Sequence, residues 1–225
     1  MSRDELAGAI AAECGRLGIA VPPDSFATLA GYATGLWAWN ERLNLTRHTD
    51  VGRFVSRDVA DAAAIAPHLA RGERLLDVGT GGGVPGVILA IIRPDLRVEL
   101  CDSVAKKARA VMEVVRAAGL TIPVHAAAGQ TLVAVRTAGP DRFDTLVVRA
   151  VAPLEKLLRW FEPLAADFGR LLVVKGPGWE EEKRMARLAG RGRRVTIRGI
   201  ASWPIRGSDN QSVLLEIRLR PRNAV

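Results

Sequence analysis

The sequence predicts an α/β protein built on a doubly wound, mostly parallel sheet. Three observations carry that prediction. From residue 74 onward, short apolar runs alternate with helical stretches, the pattern of a parallel sheet covered on both faces. A glycine-rich turn joins the first apolar run to the helical stretch after it. The last two runs have only residues 201–212 between them. That segment is too short for a helical crossover, so a terminal hairpin with an antiparallel C-terminal strand is expected.

The elements follow in order. Asp4 precedes the apolar set Leu6, Ile10, Cys14 and Leu17, and Gly18 ends it, which predicts a first helix. Pro22-Pro23-Asp24-Ser25 opens a second, carrying Phe26, Leu29, Ala33, Leu36 and Leu43. Thr49-Asp50 caps a third that runs to about His68. Strands are expected at 75–78, 98–101, 124–127, 145–148, 171–174, 195–200 and 213–219, with helices after the first five. Residues 1–70 thus read as a helical N-terminal extension, and residues 71–225 as one compact unit.

Composition bounds the function. A chain of 225 residues suits a single domain with an extension. Apolar residues are 48% and charged residues 25%, which excludes collagen-like and disordered classes. No run approaches the 18 or so apolar residues of a membrane span. The opening residues lack a basic segment followed by an apolar one, so no signal peptide is read, and the cytoplasm is the expected location. Two cysteines, Cys14 and Cys101, cannot make a disulfide framework or a four-ligand zinc site, and Cys101 reads as a buried inert thiol. His48, His68 and His125 are scattered without metal-like spacing and read as surface or core residues. No metal and no membrane partner are expected. With no heptad run to demand a coiled coil, a monomer is favoured.

The net charge of +8 is unevenly spread. Residues 183–225 hold 11 Lys and Arg against only Asp209 and Glu216. A one-sided basic segment is what a polyanionic partner would require.

The chemistry centres on Leu75-Leu76-Asp77-Val78-Gly79-Thr80-Gly81-Gly82-Gly83-Val84-Pro85-Gly86. Glycines allow a tight turn and let a ligand approach bare backbone. Open parallel sheets bind ligands beyond the carboxyl ends of their strands, so this loop is the expected cofactor floor. Gly81, Gly83 and Gly86 satisfy the dinucleotide pattern G-x-G-x-x-G, which leaves a nicotinamide enzyme as one reading. The register D-x-G-x-G-x-G favours another. Asp77 suits the cationic amino acid end of S-adenosylmethionine, and Asp102, ending the next strand, can accept hydrogen bonds from ribose hydroxyls. Ribose is common to both cofactors, so Asp102 does not separate them.

Further motifs carry a resemblance. They are Trp39-Asn40-Glu41-Arg42-Leu43-Asn44-Leu45-Thr46, the glycine loop continued through Arg93-Pro94, Leu100-Cys101-Asp102-Ser103 with Lys106-Lys107, Arg149-Ala150-Val151-Ala152-Pro153-Leu154, and Val174-Lys175-Gly176. Over residues 36–217 the chain resembles the bacterial small-subunit ribosomal RNA methyltransferase G family (glucose-inhibited division protein B), among the class I methyltransferases with their Rossmann-like sheet. The resemblance implies methyl transfer from S-adenosylmethionine, leaving S-adenosylhomocysteine, to N7 of guanine 527 in 16S rRNA, as rRNA or within the small ribosomal subunit. A methyltransferase of the same fold acting on another RNA or a small molecule is the alternative.

Guanine N7 carries no proton, so no general base is needed, and no residue is assigned as catalytic. Candidate cofactor residues are Asp77, Gly79, Gly81, Gly83, Val84, Asp102, Gly129, Gln130 and Arg149, the last by the family resemblance. Arg149 and Lys175 are candidates for substrate positioning, with a salt bridge to Asp144 or another acid as the other reading of Arg149. Candidate RNA contacts are Arg57, Lys175, Arg191, Arg193 and Arg194. Tyr32, Trp37 and Trp39 read as packing residues before base-stacking ones. The chain departs from the family at three places. Asp58 and Ala62 stand where His and Ser are usual after Arg57, Gln130 stands where an acid is usual, and Asn210-Gln211 stand for Arg-His. Asp58 adds negative charge beside a polyanion site unless Arg57 pairs with it.

Overall fold

The computed structural model describes residues 1–136, 139–191 and 194–220. Its seven strands are β1 Arg74–Val78, β2 Arg97–Cys101, β3 Val124–His125, β4 Phe143–Arg149, β5 Phe168–Lys175, β6 Val195–Pro204 and β7 Gln211–Leu219. They form one sheet in the order β3-β2-β1-β4-β5-β7-β6. β7 runs antiparallel to both β5 and β6, and the other pairings are parallel. The doubly wound class and the C-terminal hairpin are therefore as expected.

Strand side chains alternate between faces, and here both faces are apolar. Leu75, Val147, Leu172 and Leu214 enter one core with α1 (Arg3–Leu17), α2 (Phe26–Asn40), α4 (Ala60–Ile65), α5 (Gly86–Ile92) and α6 (Ala105–Ala117). Leu76, Leu146, Leu171 and Leu215 enter the other, with α7 (Gly129–Val135), α8 (Leu154–Phe161) and α9 (Trp179–Leu188). Leu6, Ile10, Leu29, Leu36 and Phe54 of the extension belong to the same core as Leu75 and Leu100 of the sheet.

Local chemistry sets the helix ends. α1 begins one residue before Asp4, because Ser2 caps it: Glu5 N donates to Ser2 Oγ, and Ser2 N donates to the Glu5 carboxylate. Gly18 closes it at φ +65°. α2 stops at Asn40, so Leu43 lies beyond the helix. Asn40 Oδ1 accepts from Leu45 N at 2.8 Å and Thr46 N at 2.9 Å, and so turns the chain toward the sheet. The third expected helix starts at α3 (Val51–Arg53), capped by Asp50, widens into a π-helical turn at Phe54–Val59, and continues through α4 to His68.

Candidate functional site

The strand order reverses beside β1: β2 lies on one flank and β4 on the other. Beyond the carboxyl ends of these three strands lies a crevice of about 670 Å³, within the 300–1,000 Å³ range of small-molecule sites. Gly79 to Gly82 and Val84 form its floor, Asp102, Ser103 and Lys107 one side, and Arg149 to Val151 the other. Residues 44–48 of the extension complete the wall.

Hydrogen bonds hold the floor in shape. Gly79 N and Thr80 N both donate to Cys101 O, at 2.9 and 3.0 Å. Gly81 N donates to Asp102 Oδ2 at 3.0 Å, and Val104 N to Asp102 Oδ1 at 2.8 Å. Below the loop, Asp77 Oδ2 accepts from Thr80 Oγ1 at 2.7 Å and from Gly86 N at 2.8 Å. Asp77 is 1% exposed and its Oδ1 is buried with no partner. Burial pushes its carboxyl up to about 6, against the lowering effect of those two hydrogen bonds.

On the opposite side, Arg149 Nη1 donates to Asp58 Oδ1 at 2.7 Å and to Asp61 Oδ2 at 2.9 Å. Asp58 Oδ1 also meets His48 Nδ1 at 2.8 Å, and Asp61 Oδ1 accepts from Trp203 Nε1 at 2.9 Å. The carboxylates of Asp58 and Asp61 raise the Arg149 pKa despite burial, while desolvation raises that of Asp61. Ala150, next to Arg149, sits at φ +54°, a left-handed conformation unusual for a residue with Cβ. Strain of that kind concentrates at functional sites.

A family model described as rRNA small subunit methyltransferase G matches residues 25–191. A ribosomal RNA small subunit methyltransferase G of Rhodopirellula baltica is 43% identical over 178 residues, 79% of this chain and 75% of that protein. The chain belongs to the rRNA small subunit methyltransferase G family.

Two solved structures share its fold. An O-methyltransferase from Bacillus cereus, in complex with SAH, matches with a TM-score of 0.56 at 16% identity, over 84% of this chain and 90% of that one. TrmK of M. capricolum, in complex with S-adenosylhomocysteine, matches with a TM-score of 0.54 at 13% identity, over 72% and 68%. Against this family background the expected site residues separate. Gly79, Gly81, Val84, Asp102 and Arg149 line the crevice. Asp77 and Gly83 lie outside its wall, at the loop's packed side, and Gly129 and Gln130 lie outside it at the start of α7.

The glycines serve two purposes. A Cβ on Gly79 would meet Val151 Cγ2 at 2.7 Å, on Gly82 Leu36 Cδ1 at 2.9 Å, and on Gly83 Val87 Cγ2 at 2.8 Å. Those three are glycines because protein packs on them. Gly81, at φ +58°, has only Leu45 O and Gly79 O near the Cβ position, at 3.9 and 4.0 Å, so its open side faces the crevice.

Several expectations need correction. Asp77 does not reach the crevice; it braces the loop from below. The salt-bridge reading of Arg149 holds, with Asp58 and Asp61 of the extension as the acids and not Asp144. Asp58 is fully buried, paired with Arg149 and hydrogen-bonded to His48, and makes no ion pair with Arg57. Lys175 is neither solvated nor free for RNA: its Nζ donates to Ala152 O at 2.8 Å and to Glu182 Oε2 at 2.7 Å. Arg191 pairs with Glu162. Arg194 precedes β6, whose first residue pairs with Leu219, while Lys175 at the crevice end of β5 pairs with Val213. Arg191 and Arg194 therefore sit at the end of the sheet opposite the crevice, and Arg193 lies outside the described residues. Arg57 is half-buried and makes no ion pair with a described residue.

Tyr32 and Trp37 are packing residues: Tyr32 is fully buried with its hydroxyl on Gly82 O at 2.7 Å, and Trp37 Nε1 donates to His48 O. Both cysteines are buried, and burial pushes the Cys101 thiol up to about 12, consistent with an inert group. Sequence reasoning missed Asn44 to His48, Ser103 and Lys107 as crevice residues. The signal for the first of these was present, since the run through Thr46 is one of the motifs that carried the resemblance. Among the described residues no group of three or more His, Cys, Asp or Glu is placed to hold a metal, and no helix is long and apolar enough to cross a membrane.

Proposed function

We propose that this chain transfers a methyl group from S-adenosylmethionine to N7 of guanine 527 in 16S rRNA. One arrangement supports the reading above all others: a glycine floor open at Gly81, flanked by Asp102 and Arg149, in a chain of this family. The crevice residues suit that cofactor. Asp102 is the acceptor for ribose hydroxyls, and Gly81 leaves room for the ligand against backbone. When bound, S-adenosylmethionine supplies a methyl already activated on a sulfonium.

Guanine N7 presents a lone pair, so the protein's own task is alignment, which can supply about 7–11 kcal/mol when reacting atoms are held in contact. Asp58 and Asp61 hold the Arg149 guanidinium at the crevice, 19% exposed, so that it can meet substrate without wandering. Arg47 and Lys107 line the same crevice without an ion pair to a described residue, and are our candidates for RNA phosphate. In this reading residues 71–225 form the cofactor-binding unit and residues 1–70 close it from above. The protein works on rRNA or the small subunit, in the cytoplasm.

The test is methyl transfer from labelled S-adenosylmethionine to small ribosomal subunits from a strain lacking the family enzyme, with the modified base mapped. A methyl at N7 of guanine 527 is expected. A methyl on another base, or binding of the cofactor product without transfer to rRNA, would overturn the acceptor and leave the crevice.

A further inference from the structure

We propose that His48, oriented by buried Asp58, positions the acceptor guanine by accepting a hydrogen bond from its Watson–Crick edge. The inference rests on the methyltransferase reading above. β1 lies between β2 and β4, so the crevice has Asp102 at one flank and Arg149 at the other. With the ribose held by Asp102, as the proposed function has it, the Arg149 flank would be left for the acceptor. His48 lines the crevice there, one carboxylate away from Arg149.

The residue is held on three sides. His48 N donates to Thr46 Oγ1 at 3.0 Å, His48 O accepts from Trp37 Nε1 at 2.8 Å, and Nδ1 meets Asp58 Oδ1. A carboxylate already paired with Arg149 accepts and does not donate, so the hydrogen is on Nδ1. That leaves Nε2 as a lone pair in the neutral ring. It makes no hydrogen bond to any described residue, and the side chain is 23% exposed.

Such a lone pair matches an N–H donor. Guanine offers N1–H and its exocyclic amino group on the Watson–Crick edge, away from N7. The histidine acts without taking a proton from N7, which has none, so no proton transfer is invoked.

Two substitutions separate positioning from scaffolding. His48→Asn keeps an N–H for Asp58 and loses the acceptor at Nε2; His48→Gln can place an amide oxygen near the Nε2 position. Transfer to small subunits and binding of S-adenosylhomocysteine by calorimetry are measured for both and for wild type. We expect His48→Asn to lower kcat/KM for the subunit by about 10- to 100-fold, the scale of one lost hydrogen bond in a closed site, with product affinity within about twofold of wild type. His48→Gln should recover part of the loss. Full activity in His48→Asn would mean the ring only ties Asp58 down, and would overturn the inference. A parallel loss of product affinity would also overturn it, by moving His48 to the cofactor. Should the wild type itself transfer nothing to the subunit, the acceptor reading falls and this inference with it. The wild-type control thus tells the two failures apart.

Discussion

Asp77 shows how burial turns one carboxylate from a ligand contact into a brace. Its pKa of about 6 when folded, against 3.8 in an unperturbed carboxyl, means the folded protein binds a proton between roughly pH 4 and 6 that the unfolded chain releases. Stability contributed by that proton is full below about pH 4, falls as pH rises through the window, and is gone above about pH 6, a change of about 3 kcal/mol. Asp77→Asn keeps an acceptor for Gly86 N and removes the titration. Urea midpoints at pH 4 and pH 7 should therefore fall less with pH in the variant than in wild type; equal slopes would show that Asp77 is not the group responsible. At the loop itself, Gly81→Val should abolish binding of S-adenosylhomocysteine, because its side chain would fill the open side at a positive φ. Near-normal binding by calorimetry would remove Gly81 from the site. Gly82→Ala should instead cost about 1–3 kcal/mol of stability, since its Cβ would press on Leu36 and Leu45 O.

Among the elements, the loop after β4 depends on two others. It carries Arg149 and the left-handed Ala150, and it is clamped from β5 and α9. Lys175 Nζ donates to Ala152 O and Glu182, and Leu154 N donates to the same Glu182 Oε2. Removing Lys175 takes away a largely buried ammonium and both of its hydrogen bonds, and leaves the Glu182 carboxylate, a third exposed, without its cation. Lys175→Ala should thus lower the urea unfolding free energy by about 1–3 kcal/mol. It should leave the salt dependence of rRNA binding unaltered, because this ammonium has no phosphate to meet. A flatter salt slope with unchanged stability would return Lys175 to the RNA surface. The extension makes the matching contribution on the other side, where the π-helical turn and α4 bring Asp58 and Asp61 to Arg149.

For the whole molecule the question is where the positive charge lies relative to the crevice. Among the described residues, the basic C-terminal segment is divided between α9 and the strands β6 and β7, and part of it is neutralised at home by Arg191–Glu162, Arg184–Glu181 and Arg218–Glu216. Arg194 stands at the far end of the sheet. Arg47 and Lys107, far from that segment in sequence, converge on the crevice. Neutralising both should reduce the slope of log affinity against log salt by about 2, one for each phosphate left without its cation. Arg194→Ser should reduce it by less. Binding of an rRNA fragment over a salt series measures both, and a larger effect from Arg194 would place the RNA on the sheet edge.

The sheet, its hairpin and the crevice floor were legible in the order of residues alone. Strand periodicity, glycine spacing and helix-opening prolines act over a few residues, so Leu75, Gly81 and Asp102 could be read where they stand. Which charges face ligand was settled by packing in three dimensions. Asp77, Asp58 and Lys175 are ordinary polar residues in sequence, yet each is taken up by a partner that packing supplies: Gly86, Arg149 and Glu182. His48 and Arg47 reach the crevice only because Asn40 turns the chain there after α2. A charge seeks its nearest partner in space, and linear spacing does not contain that distance once 91 residues separate Asp58 from Arg149.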